Sequence, residues 1–382
     1  MKNTVQFIIG TLLLIVSCHI FAAPPPMLVP APPHINARGY LLMDFNSGQI
    51  LVEDNADEKM EPASLTKMMT CYVIEHEIAA GNISLDDKVL ISKKAWKMPG
   101  SRMFVEVNSR VSVRELLKGI IVQSGNDATV ALAEFVAGSE DAFASLMNQY
   151  AKKLGMVGTH FVNSTGLPNE DHFTTPRDMA IMARALISEF PEQYDMYSIK
   201  KFTYNNITQY NRNRLLWRDK FVDGVKTGHT ESAGYCLVAS ALRDNMRLIS
   251  VVLGTKSENA RADESQKLLS YGFRFFETHK LYTANEPLTE VTIWKGEKDK
   301  LPLGLNRDLW VTVPRGQYDK LKASMKIDST ILAPIAKGQQ YGIVTVKLGD
   351  ESYAQRELIA LEHIGEGGLF NNLVDEVKLL FQ

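Results

Sequence analysis

Cysteine is scarce. Three occur in 382 residues, and one of them, Cys18, lies in an apolar leader, so a disulfide framework is excluded as the organising device. An excess of charge of either sign is also missing. The 42 basic and 44 acidic side chains leave a formal net charge of −2, which gives no electrostatic footprint for nucleic acid. Histidines are spread out: His160, His172, His279 and His363 form no His-x-x-x-His pair, so no zinc site is expected. No G-x-x-x-x-G-K-[ST] loop is present to cradle a nucleotide phosphate. These absences call for no cofactor. Internal repeats are lacking as well. The apolar run at 7–16 is too short for a membrane span.

What is present is an ordinary globular balance, 45% hydrophobic and 23% charged, with length enough for more than one domain. Lys2, the apolar run and Phe21-Ala22-Ala23 predict a signal peptide over 1–23. A lipoprotein cleavage box at Ile15-Val16-Ser17-Cys18 is the disfavoured alternative, because Ala22-Ala23 suits ordinary cleavage. Removal of that segment leaves Cys71 and Cys236, and whether these two meet is open. Residues 24–36 are a proline-rich leader predicted to be extended, with no packing role.

The hydrophobic pattern then divides the chain. Strands are expected at 38–45 and 49–53 around a turn at Asn46-Ser47-Gly48. A helix carries Ser64 and stops near Gly81. A Ser112-x-x-Glu115 capping box opens a helix over 116–122. Asp127 is expected to cap another over 128–136, with further helices over 141–153 and from Pro176. Apolar strands follow at 234–242 and 246–253, then an amphipathic helix at 258–276. Beyond 284 only short alternating runs remain, at 289–294, 309–313, 321–327, 342–348 and 354–361. The expected fold class is therefore α/β (α+β): an antiparallel sheet with a helical subdomain over 37–283, then a small all-β domain over 284–364. A flexible link and an amphipathic helix close the chain at 365–382.

Chemistry gathers at Pro62-Ala63-Ser64-Leu65-Thr66-Lys67. Ser64 and Lys67 are one helical turn apart, so the amine lies within reach of the hydroxyl. A serine hydroxyl becomes a nucleophile once a base takes its proton. A lysine serves when desolvation or neighbouring cations lower its pKa. The backbone N–H groups of a helix start can also hold a developing oxyanion. Ser124-Gly125-Asn126 follows 60 residues after Ser64, and Lys226-Thr227-Gly228 another 102 residues on. S-x-x-K, S-D-N and K-T-G in that order mark the penicillin-binding proteins and class A β-lactamases; here the middle motif reads Ser-Gly-Asn.

The chain resembles the serine D-alanyl-D-alanine carboxypeptidases, the low-molecular-mass penicillin-binding proteins of the penicillin-binding protein 5 and 6 type. The resemblance rests on those motifs in their longer forms, Gln123 to Ala128 and Asp223 to Thr230 included. It implies removal of the terminal D-alanine from peptidoglycan pentapeptide stems, with β-lactams as covalent inhibitors. It implies that Ser64 forms the acyl-enzyme and that Lys67 is its base. Ser124 would relay a proton to the leaving amine. Asn126 would hydrogen-bond Lys67 and a substrate carbonyl. Lys226 and Thr227 would bind the substrate carboxylate, with Lys226 also keeping Lys67 neutral by repulsion. Gly228 would let a substrate peptide approach the strand edge closely. The oxyanion hole would use the backbone N–H groups of Ser64 and His229. Arg212 matches a family arginine near the carboxylate, although it lies 14 residues before Lys226, one fewer than expected; Arg214 is a local competitor.

Two other functions share part of this pattern. A β-lactamase would use a glutamate-held water, for which Glu170 is the candidate. A peptidoglycan-binding scaffold would need no intact motifs. The tail points to a membrane. At about 100° per residue, Leu369, Phe370, Leu373, Val374, Val377, Leu380 and Phe381 share an arc of about 140°. Asn371, Asn372, Asp375, Lys378 and Gln382 lie opposite. Such a helix, about 21 Å long, cannot cross roughly 30 Å of hydrocarbon. The expectation is an anchor lying flat on the outer face of the inner membrane, for a periplasmic protein.

Overall fold

The computed structural model describes residues 28–379. The expected signal peptide lies outside the described residues, as do 380–382 of the expected anchor. Five antiparallel strands form the central sheet, in the spatial order Ile50–Asp54, Gly39–Asp44, Met246–Thr255, Gly234–Arg243, Val222–Thr230. Both faces are covered, and the period-2 alternation of the strands shows how. Leu41, Val238 and Val251 join a core with the helices that carry Met68, Leu117, Val130 and Met182. Their neighbours Leu42, Leu237 and Val252 point the other way, onto Leu268 and Leu269 of the helix Glu258–Phe275. The Val222–Thr230 strand is an edge of this sheet.

Several local expectations change. Ser64 does not sit in an α-helix. It lies in a 3-10 turn, Ala63–Thr66, from which the helix Lys67–Ala79 continues. Ser112 does cap its helix, accepting the N–H of Glu115. That helix then loosens into a π-helical turn, Gly119–Gln123, and Ser124 follows in the left-handed region at φ 64°. The next helix is Asn126–Ala137, with Gly125 at its N-cap. Asp127 is therefore inside the first turn, not the cap. Its carboxylate instead accepts the N–H groups of Met103 and Phe104.

The described part of the proline-rich leader, residues 28–36, packs. Ile35 is buried with Leu42, Val52 and Leu215, and the Pro30 carbonyl accepts the Tyr271 hydroxyl. Its prolines stiffen an extended segment without preventing side-chain contact. The second part of the chain is all β, around a sheet of Thr289–Thr292, Lys300–Gly304, Glu351–Ala360, Gln340–Leu348 and Leu321–Ile327. Phe276–Tyr282 pairs with Leu309–Pro314, so strand pairing with this part begins ahead of residue 284. Asp44 ties the two parts together: its carboxylate accepts from Ser47 and from Thr278.

The expected flexible link is held in place. Glu366 bridges to Gly296, and the Gly367 N–H donates to the Lys295 carbonyl at 2.8 Å. A Cβ on Gly367 would stand 2.6 Å from the Gly296 carbonyl oxygen. Gly367 thus serves close backbone approach. The helix Leu369–Leu379 follows. Its Asp375 carboxylate accepts the Lys295 N–H at 2.8 Å, so this part of the polar face is turned to the β domain. Leu369 and Leu373 are 92% and 67% exposed.

Candidate active site

The three motifs come from three elements and meet in one cleft of about 440 Å³. The 3-10 turn presents Ser64. The left-handed turn between two helices presents Ser124, and Asn126 opens the second of them. The edge strand supplies Lys226, Thr227, Gly228 and His229.

Lys67 is fully buried. Its Nζ donates to Ser64 Oγ at 2.9 Å and to the Thr165 carbonyl at 2.6 Å. Burial lowers the amine to about 7, and the Arg212 guanidinium acts in the same direction. Lys226 Nζ donates to Ser124 Oγ and to the Thr227 carbonyl, both at 3.0 Å. It too is held well below the ordinary lysine range, by burial first, then by Lys67 and Arg212. Desolvation thus precedes like-charge repulsion as the reason these amines lose protons. The four side chains form two serine–lysine pairs, with Ser64 and Ser124 both lining the cleft.

Asn126 departs from expectation. Its Nδ2 donates to the Pro99 carbonyl at 2.7 Å, its Oδ1 is buried without a partner, and it makes no bond to Lys67. Gly228 lines the cleft and has a packing reason as well. A Cβ there would meet the Pro62 carbonyl oxygen at 2.9 Å and Ala63 Cβ at 3.2 Å. The glycine lets the edge strand press on the turn that carries Ser64. The His229 ring turns outward and stacks on Tyr235, with centroids 3.9 Å apart. Arg212 lines the cleft, whereas Arg214 is engaged by Glu258 at 3.0 Å. Glu170 is exposed, and the cleft wall on that side is Thr165, Gly166 and Leu167. Cys71 and Cys236 are free and buried.

Sequence reasoning missed Arg261. This buried arginine donates to the Gly228 carbonyl at 3.1 Å and lies over the Tyr235 ring. It occupies the inward face of an amphipathic helix, where a charge was the only signal. Also missed was the loop 161–174, which holds the helix that follows Ser64: Thr70 donates to the Ser164 carbonyl at 2.7 Å, and Ser164 is itself fixed by donating to Glu140.

Residues 27–257 match the family described as D-alanyl-D-alanine carboxypeptidase, and residues 276–366 match the penicillin-binding protein 5 C-terminal domain. The chain is 47% identical to D-alanyl-D-alanine carboxypeptidase DacC of Escherichia coli strain K12, over 91% of this chain and 89% of that one. It is 44% identical to DacA of the same organism, over 93% and 90%. Among solved structures it is similar to penicillin-binding protein 5 of Haemophilus influenzae. There the TM-score is 0.85 at 44% identity, covering 88% of this chain and 100% of that one.

Proposed function

The chain belongs to the D-alanyl-D-alanine carboxypeptidases, the low-molecular-mass penicillin-binding proteins, and from that membership we propose how its side chains divide the work. It is a serine hydrolase of the cell wall. In the proposed reaction Ser64 Oγ attacks the carbonyl between the two terminal D-alanines of a pentapeptide stem, and Lys67 takes the hydroxyl proton. The backbone N–H groups of Ser64 and His229 receive the negative charge on the carbonyl oxygen. As the tetrahedral species collapses, Ser124 passes its proton to the departing amine and regains one from the Lys67 ammonium, so D-alanine leaves and Lys67 is a free amine again. Lys67 then draws a proton from water, which attacks the ester, and hands that proton to Ser64 Oγ as the acyl product departs. A β-lactam enters by the same attack and stays as the acyl-enzyme.

The carrying observation is the 2.9 Å contact between Ser64 and a lysine amine lowered to about 7. At neutral pH a large share of that amine is free base. Lys226, Thr227 and Arg212 make the carboxylate end of the cleft cationic. A bound carboxylate would offset the burial that disfavours the charged form of Lys226. The exposed position of Glu170 supports the peptidase over the β-lactamase, which needs its acid at the acyl carbon.

Two measurements test the assignment. Penicillin should add its mass to a Ser64-containing peptide, and purified enzyme should release D-alanine from a pentapeptide stem. Labelling elsewhere, or no release, would sink it. We further propose a periplasmic location after removal of residues 1–23. In this reading residues 37–283 form the catalytic domain, 284–364 the β domain, and the segment 365–382 rests on the membrane. Among the described residues no helix is long and apolar enough to cross a membrane, and the outward apolar ridge of the last helix supports surface attachment.

A further inference from the structure

The peptide unit between Ala63 and Ser64 carries two functions at its two ends. Its N–H belongs to Ser64 and is the proposed oxyanion donor. Its carbonyl belongs to Ala63, a buried residue held at φ 47°. That carbonyl is bound from behind. Thr66 Oγ1 donates to it at 2.9 Å. Thr66 Oγ1 in turn stands 2.8 Å from His172 Nε2, and the Val162 N–H donates to His172 Nδ1 at 3.1 Å.

These contacts leave one consistent set of protons. The Val162 N–H makes Nδ1 the acceptor, so Nε2 carries the hydrogen of a neutral imidazole and donates it to Thr66. The threonine hydroxyl has one hydrogen, and it goes to the Ala63 carbonyl. Burial pushes His172 down to about 4, which keeps the ring neutral in the working range. Gly166 closes the arrangement: a Cβ there would lie 1.8 Å from the Ala63 oxygen, so only glycine permits the fit. The loop 161–174 therefore reaches the Ala63 carbonyl directly at Gly166 and, through Thr66, from His172.

We propose that His172, acting through Thr66 on the Ala63 carbonyl, is a positioning residue for the oxyanion hole. A hydrogen bond to the carbonyl of a peptide fixes its plane and polarises it, so the N–H at its other end becomes a stronger donor. The relay has its full effect when charge develops on the substrate oxygen, so it favours the transition state over the bound ground state. The inference rests on the reading of Ser64 as nucleophile with its own N–H in the hole.

The test uses the full chain and a penicillin carrying ¹³C at the β-lactam carbonyl. The infrared stretch of the acyl-enzyme carbonyl reports the strength of the hole directly, and stopped-flow kinetics separate the acylation rate from the prior dissociation constant. Thr66→Val and His172→Leu should both move the band to higher frequency. Both should slow acylation about tenfold, short of the roughly 10²–10³ lost on outright removal of an oxyanion donor, with the dissociation constant unchanged. His172→Gln keeps a donor and an acceptor and should recover most of the rate and the band position. If His172→Leu does not fold, the isosteric Thr66→Val decides. Folded variants with an unmoved band and normal acylation would overturn the relay while leaving Ser64 as the nucleophile. A wild-type protein that penicillin does not acylate would overturn the parent assignment, and this inference with it.

Discussion

The carboxylate of Asp127 accepts the backbone N–H of Met103 at 2.8 Å, and its second oxygen accepts that of Phe104, also at 2.8 Å. One buried acid thus pins the segment whose Ser101, Arg102 and Phe104 line the cleft, while the neighbouring Asn126 N–H is bonded to the Ser101 carbonyl at 2.7 Å. Asp127→Ala strands two inward-facing N–H groups. Each unsatisfied group costs about 1–3 kcal/mol, so urea unfolding should show a loss of about 2–6 kcal/mol, together with a raised KM. Equal stability and KM in the variant would mean that the segment holds itself.

Lys67 supplies a pH dependence with a definite sign. In the proposed reaction it works as the neutral amine, and its pKa is lowered to about 7 by burial. Acylation should therefore fall about tenfold per pH unit below that value and level off above it. Lys67→Ala should fold, since alanine is the better helix former, and should not be acylated by penicillin. Acylation of a folded Lys67→Ala at the wild-type rate would assign the base elsewhere.

For Lys226 the expected loss is in recognition. A charge-assisted hydrogen bond contributes on the order of 1.5–3 kcal/mol, so Lys226→Ala should lower kcat/KM for a pentapeptide at least about tenfold. A substrate amidated at its C-terminus should lose far less, because it brings no carboxylate. Comparable losses for both substrates would remove carboxylate binding as the role of Lys226.

The motifs made the chemistry legible because each is a short run whose residues stay together in the fold: Ser64 with Lys67, Ser124 with Asn126, Lys226 with Thr227. Alternating apolar strands and capped helices showed the layers for the same reason. What stayed hidden depends on partners far along the chain. His172 reaches Thr66 across 106 residues, and Arg261 reaches Gly228 across 33. The π-helical turn that swings Ser124 into the left-handed region carries no glycine at that position to announce it. The strand Lys300–Gly304 holds Pro302 in a short run, and proline in a run argues against a strand. A glycine misled once: Gly367 admits neighbouring backbone.

Glu75 lies two turns beyond Lys67 on the same helix, buried, with neither carboxylate oxygen hydrogen-bonded. Burial raises its pKa from 4.5 to about 8. Between those values the folded protein holds a proton that the unfolded chain has released, so stability should fall as pH rises through that window. At pH 7 the loss is at most about 3 kcal/mol. Glu75→Gln should abolish that slope, and Glu75→Met should also raise the urea midpoint at pH 8. A wild-type midpoint independent of pH from 5 to 8, over this part of its range, would show that the acid has found a partner.

The last helix turns two different faces to its surroundings. Asp375 accepts the Lys295 N–H, and Glu376 lies 3.7 Å from the Lys295 amine. Leu369, Leu373 and Val377 follow at four-residue intervals and are exposed. Nothing apolar within the described protein covers that ridge. Burying such a side chain stabilises by roughly 1.5–3 kcal/mol, so a few of them acting together suffice for attachment to a lipid surface. Lys378 is the tail's sole cation, against Asp375 and Glu376, so attraction to anionic lipid adds little. Full-length protein should therefore sediment with zwitterionic phospholipid vesicles and remain bound in 1 M salt, about ten times the ionic strength at which the Debye length is 10 Å. A version ending at Glu366 should stay in solution. Leu373→Glu should release the protein without changing its circular dichroism, because that side chain already faces water. Equal solubility of the two lengths, or release of the full-length form by salt alone, would leave the ridge without this role.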